Sequence, residues 1–316
     1  MHPALSVIFF TTLSGAGYGL LFWAGWHALT GQSAARTLLV SIALAIVLST
    51  IGLLSSMLHL GKPARAWRAF SQWRTSWLSR EGVAAMATFG VALLLALALL
   101  PSQISSDASG RAALSLAGKA VALLAMVAAL VTVHCTAMIY ASLKPIPAWR
   151  HRFVPFVYGV FALFTGGLLF CAIATLLGRP ITNMAAFGGI VAAIVLCVLK
   201  LKYWRDIDTP LPATRGDAVG LPQRTVSVFE RPHTEANYLT KEMGFVVARR
   251  HAKWLRRIAV VLFAVLPVLL LLPAWIFVHA DLAPWFTAAA LCAVAGAFVE
   301  RWLFFAEAKH MVTLYY

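Results

Sequence analysis

Eight apolar stretches, each near the roughly 20 residues needed to cross about 30 Å of hydrocarbon, constrain this chain more than any motif in it. They run over about 4–27, 36–58, 82–100, 112–140, 153–177, 181–199, 258–279 and 283–306. A backbone in lipid must satisfy its own hydrogen bonds, which leaves helices and closed barrels; runs of this length select helices. The expected fold is therefore all-α: a polytopic membrane protein, an eight-transmembrane-helix bundle in a single membrane domain over 1–316, with a polar loop at 200–257. Composition agrees. Charged residues are 12% of the chain and mean hydropathy is +0.83, whereas a soluble domain carries about 25% charged residues. The opening MHPALSVIFF has neither a positive n-region nor a small-residue cleavage site before Thr30, so it reads as a first helix and not as a removed signal peptide.

Eight spans place both termini and the loops after the second, fourth and sixth helices on one side. Of the 26 Lys and Arg residues, only Arg36, Arg111, Lys119 and Arg179 fall on the other. Cationic loops stay inside, so the termini and the loops 59–81, 141–152 and 200–257 are expected in the cytoplasm, around a bacterial inner membrane. Cations placed this way point to membrane lipid and protein partners, and no nucleic acid is expected.

Cys135, Cys171, Cys197 and Cys292 lie singly on four different spans, with no CxxC spacing, so neither an iron–sulfur cluster nor a zinc site is supported. Packing is their expected use. A b-type haem needs two facing His at matching depth. Here His27 and His279 share one membrane edge, His59 and His134 share the other, and none is mid-span. No haem or metal is expected in this chain, which must then exchange electrons through a partner.

The stretch SSMLHLGKPARAWRAFSQWRTSWLSREG, from Ser55 to Gly82, joins the second and third spans. His59 sits where one apolar run ends, and Glu81 where the next begins. Between them Lys62, Arg65, Arg68, Arg74 and Arg80 alternate with Trp67, Phe70, Trp73 and Trp77, at spacings suited to a short interfacial amphipathic helix. Two readings compete. Tryptophans beside basic residues are ordinary anchors at a membrane edge. An acid at the mouth of a span, however, costs energy unless paired or used, and a titratable pair among cations and indoles suits a lipid-soluble quinone. The quinone-facing set under the second reading is His59, Lys62, Arg65, Trp77 and Glu81 with Gly15 and Gly19 of the first span, Glu81 and His59 being catalytic.

Other features divide the same way. In SGAGYG, Gly15 and Gly19 share a helix face, which allows either close helix packing or room for a flat ligand. The basic run containing Arg249 and Arg250, like Arg68, Arg74 and Arg80, faces either anionic lipid or an acidic docking partner. Glu300 and Arg301, inside the last span, are expected to hold each other or a neighbouring helix. A transporter would need a polar mid-membrane cluster and an interrupted pair of helices, and neither is evident.

HPALSVIFFTTLSGAGYGL, LHLGKPARAWRAF with TSWLSREG, and PHTEANYLTKEMGFVVARRHAKWLR together resemble the DMSO reductase membrane-anchor family over most of the chain. The resemblance implies an eight-helix, haem-free subunit of a molybdopterin oxidoreductase. It also implies a molybdopterin catalytic subunit, a four-cluster iron–sulfur subunit as bridge, and a quinol site that includes the residues matching His59 and Glu81. The wording of the motifs most resembles anchors of cytoplasmic sulfite dehydrogenases, which pass electrons from sulfite to quinone, either ubiquinone or menaquinone. The alternative is a menaquinol-oxidising anchor of a DMSO or related S- or N-oxide reductase. In DMSO reductases the loop matching 59–81 is periplasmic, and the charge distribution here departs from that.

Overall fold

The computed structural model describes residues 4–58, 60–104, 112–179, 181–209, 213–230, 247–276 and 281–315. Among them eight helices are long and apolar enough to cross a membrane. They are α1 (Leu5–Thr30), α2 (Ala35–Met57), α3 (Trp77–Ile104), α4 (Leu116–Ala141), α5 (Val154–Leu176), α6 (Asn183–Ile207), α7 and α8 (Ala283–Ala306). The seventh, α7, begins as Val247–Val260, widens into a π-helical turn at Val261–Val265 and continues as Leu266–Ile276. Pro267 has no N–H to return to the carbonyl of residue 263, so the ladder is already broken where the turn widens.

Local chemistry sets several ends. Gly31 closes α1 in the left-handed conformation (φ +66°), where a residue without Cβ is favoured. The Ser115 hydroxyl accepts from the Gly118 N–H and so caps the start of α4.

Burial divides the bundle. The spans α1, α5 and α8 are the most enclosed, while α3 and α6 lie at the perimeter. Helix α1 packs on α2, α4, α5 and α8. At its tightest contact Gly19 faces the backbone of Ala162 and Gly166 on α5, where a Cβ on either glycine would collide with main-chain atoms; this is close approach through small residues. The indole N–H of Trp23 locks the same pair by donating to the Leu163 carbonyl at 2.8 Å. On α3, the buried positions Glu81, Ala85, Thr88, Ala92, Leu95 and Leu99 alternate by four and three, forming a helix-packing seam. The Thr88–Thr132 hydroxyl bond (2.9 Å) joins α3 to α4.

Several boundaries differ from the sequence expectation. Helix α3 starts at Trp77 and passes Pro101 to reach Ile104, so Glu81 lies inside a helix and not at its mouth. Helix α6 runs on to Ile207, so the start of the expected 200–257 loop is helical. Within residues 62–79 the short helix is a 3₁₀ helix (Pro63–Gln72), followed by a turn and the start of α3. The TEANYLTKEMG part of the third motif lies outside the described residues.

The extension of α6 carries Lys200, 1% exposed, into the bundle. Its Nζ lies 2.5 Å from Glu300 Oε1 on α8, and Arg301 Nη1 is 3.1 Å from Glu300 Oε2. Lys200 also lies over the Tyr203 ring at 4.1 Å, and Arg301 over Tyr158 at 3.5 Å. Replacing Glu300 by Gln strands two buried cations, so it is expected to cost about 3–5 kcal/mol, as broken buried pairs do. Replacing Lys200 and Glu300 together by Met and Leu is expected to cost much less. Denaturation midpoints in detergent of the two variants test this; equal losses would contradict it.

Candidate functional site

The second turn of α3 holds Glu81 where few carboxylates are found. It is 4% exposed, and one of its oxygens has no hydrogen-bond partner among the described residues. An unpaired buried acceptor costs about 1–3 kcal/mol, so the position is one of expense. Glu81 lies on the buried face of α3, in line with Ala85 and Thr88, the face that meets α4.

Above it the 3₁₀ segment folds back. The Phe70 ring lies against Gly82, where a Cβ would come within 3.0 Å of it. The Arg80 guanidinium donates to the carbonyls of Trp73 (3.0 Å) and Arg74 (2.7 Å) and sits 4.3 Å from the centre of the Trp77 ring. That ring meets His134 edge to face at 6.1 Å. The turn is thus tied to α3 by its own cation, and Trp77 lies one helical turn from Glu81.

The remainder of the loop has little of the chain to cover it. Lys62, Arg65, Arg68 and Arg74 are exposed, and so are Trp67 (66%), Phe70 and Trp73. Arg68 and Arg74 lie over the rings of Trp67 and Trp73. His59 lies outside the described residues, as do the side chains of Arg249 and Arg250, whose backbone belongs to the start of α7.

The two α1 glycines serve different purposes. Gly19 makes the contact with α5, whereas a Cβ on Gly15 would meet nothing within 4 Å. Gly15 lines a small cavity between α1, α4, α5 and α8, about 20 Å³, room for one water. The hydroxyls of Thr12, Tyr18 and Tyr158, all lining it, have no hydrogen-bond partner among the described residues. Arg301 Nη1, also at its wall, is close enough to Glu300 for an ion pair but is not aligned for a hydrogen bond. Polar groups thus line the cavity, beside the charged cluster of α8.

The residue pattern alone marked neither Tyr18, Tyr158 nor Lys200 as part of a polar interior. The signal for Lys200 was its place inside VLKLKYW, where an apolar stripe continues past the first lysine. Nothing comparable marks the tyrosines, because their burial depends on which helices become neighbours.

No group of three or more His, Cys, Asp or Glu that could hold a metal occurs among the described residues. His27 stacks on Phe170 at 4.3 Å and bonds Ser33 at 3.1 Å, and His151 bonds Asp206 at 3.1 Å. What the arrangement offers chemically is a buried carboxyl with a spare acceptor, beside a basic and aromatic loop at the perimeter of the bundle.

Two comparisons with known proteins bear on the chain. Residues 1–306 match the family model described as DMSO reductase anchor subunit (DmsC). The C subunit of the sulfite dehydrogenase of Allochromatium vinosum is 31% identical, over an alignment covering 100% of this chain and 99% of that protein.

Proposed function

The chain belongs to the DMSO reductase anchor subunit family, and we propose that it is the quinone-reactive membrane subunit of a sulfite-oxidising molybdoenzyme. Its partners in this reading are a molybdopterin catalytic subunit and a four-cluster iron–sulfur subunit seated on the basic end. The full-length likeness to a sulfite dehydrogenase subunit supports the choice of substrate. The observation that carries the quinone assignment is Glu81, a buried carboxyl with an unpartnered oxygen under an exposed aromatic and cationic loop.

A quinone head group takes up two electrons and two protons and keeps its tail in lipid, so its site needs a proton source within reach of the membrane. Glu81 supplies such a source: it can hold a proton in the apolar seam of α3 and exchange it at the head group. Lys62 and Arg65, exposed on the loop, would oppose negative charge developing on a carbonyl oxygen. Trp77, fixed by Arg80 and His134, would form an apolar wall and limit water. His59 would donate a hydrogen bond to a carbonyl. Gly15 would keep the inner cavity open, while Gly19 acts through packing. Arg68 and Arg74 would serve docking, and the Arg249–Arg250 pair falls on the same end.

The family description favours one second reading, in which the same site oxidises menaquinol and the partner reduces DMSO or a related oxide. The residues of this chain would act in the reverse order.

Glu81→Gln keeps size and hydrogen-bonding capacity but removes the exchangeable proton. Quinone turnover per assembled complex is expected to fall by roughly two to four orders of magnitude. Sulfite oxidation with an artificial electron acceptor, and assembly itself, should persist. Retained quinone turnover would place the proton path elsewhere.

The basic end is proposed to be cytoplasmic. Reporter fusions after Arg150 should then be active only in the cytoplasm. Fusions active only in the periplasm would reverse the orientation and with it the choice of sulfite.

A further inference from the structure

A groove of about 480 Å³ lies between the last turns of α6 and the first turns of α7, at the basic end. Its walls change character along their height. Toward the bundle's apolar belt they are Leu201, Val260 and Val261, with Leu201 55% and Val261 43% exposed. Toward the polar end they are Arg205, Lys253 and Arg257, all exposed cations.

Charge in the groove is uneven. Arg256 is already balanced: it donates to both oxygens of Asp208 (2.7 and 2.9 Å) and to Glu307 (2.8 Å), and its guanidinium lies 5.4 Å from the Trp204 ring centre. The Arg256 hydrogen bond holds the Asp208 carboxyl below its usual range, so this acid remains charged and committed to Arg256. Arg205, Lys253 and Arg257 make no ion pair among the described residues. Three cations thus remain along a slot whose floor is apolar and whose geometry is fixed by a bridge across α6, α7 and the end of α8. Trp254, exposed on α7 beside Lys253, occupies the level where indoles meet head groups.

We propose that this groove binds one anionic phospholipid, with its phosphates against Arg205, Lys253 and Arg257 and an acyl chain along Leu201 and Val261. Three cations match a head group with two phosphates better than one with a single phosphate, so diphosphatidylglycerol should bind more tightly than phosphatidylglycerol. The apolar walls exclude free phosphate as the natural occupant, since it would leave them uncovered. They also argue against an acidic protein surface, which would approach from above the membrane and reach Arg205 and Lys253 but not Val261. A basic recess between transmembrane helices at one face is a setting in which such head groups are held.

The proposal does not depend on the quinone reading, and its test involves no electron transfer. The full chain, purified in detergent and stripped of lipid, would be titrated with diphosphatidylglycerol, phosphatidylglycerol, phosphatidylcholine or inorganic phosphate, and bound species counted by native mass spectrometry. One diphosphatidylglycerol should bind at the lowest concentration, phosphatidylglycerol next, and phosphatidylcholine and phosphate not detectably in the same range. Lys253→Ala with Arg257→Ala should weaken the first binding event by roughly 25-fold, about fivefold for each cation. Lys144→Ala, a cation outside the groove on the same end, should leave it unchanged. Lys253→Gln with Arg257→Gln repeats the test with more of the side-chain volume kept. Equal affinity of wild type and both double variants would overturn the proposal, as would equal binding of phosphatidylcholine. Full displacement by inorganic phosphate would reduce the site to a simple anion site and overturn the lipid assignment. Loss of the bound lipid on assembly with the partner subunits, with no loss in the anchor alone, would give the groove to a protein instead.

Discussion

The cost of holding charge away from water decides how this molecule is built. A lone ion in hydrocarbon is so unfavourable that it must be paired or neutralised. Lys200, Glu300 and Arg301 meet that cost together: one carboxylate between two cations, each cation also over an aromatic ring. Because the partners come from α6 and α8, the pairing also fixes how those helices meet. Arg256, with Asp208 and Glu307, repeats the device nearer the surface and adds α7. Glu81 is buried too, yet it makes no ion pair among the described residues.

Position in the bundle follows the same division. The most enclosed helices are α1, α5 and α8, and α1 meets α5 through small residues and main chain. Helix α3 stands at the perimeter, one seam against α4 and much of its remaining surface toward lipid. Glu81, 4% exposed, belongs to the packed face of this perimeter helix. The loop above it is exposed, with Trp67, Phe70 and Trp73 uncovered by the rest of the described chain. The small cavity among Thr12, Tyr18, Tyr158 and Arg301 lies within the enclosed part, with polar atoms on its walls and room for a water.

Much of this was legible in the residues. Eight apolar runs specify eight helices because nothing else of that length satisfies its backbone in lipid. The family resemblance rested on motifs at the start, in the first polar loop and before the seventh helix, and the match over residues 1–306 bears it out. Helix ends were read less well. Trp77 to Arg80 and Lys200 to Ile207 are polar enough to suggest loops, yet they continue helices because their buried faces keep the helical period. Single-residue hydropathy does not carry that information. The partner of Glu300 was missed for the same reason: Lys200 was assigned to water when it belonged to the interior. The polar cavity was out of reach, since it depends on the juxtaposition of four helices that no local pattern specifies.

The central claim is that the Glu81 carboxyl gains and loses a proton as quinone is reduced. Infrared difference spectra of the assembled complex, recorded as sulfite reduces bound quinone, test it directly. A carboxyl carbonyl band should change between the two states in the wild type and vanish in Glu81→Gln, with the remaining bands retained. The same carboxyl band persisting unaltered in Glu81→Gln would assign the proton to another group and contradict the claim.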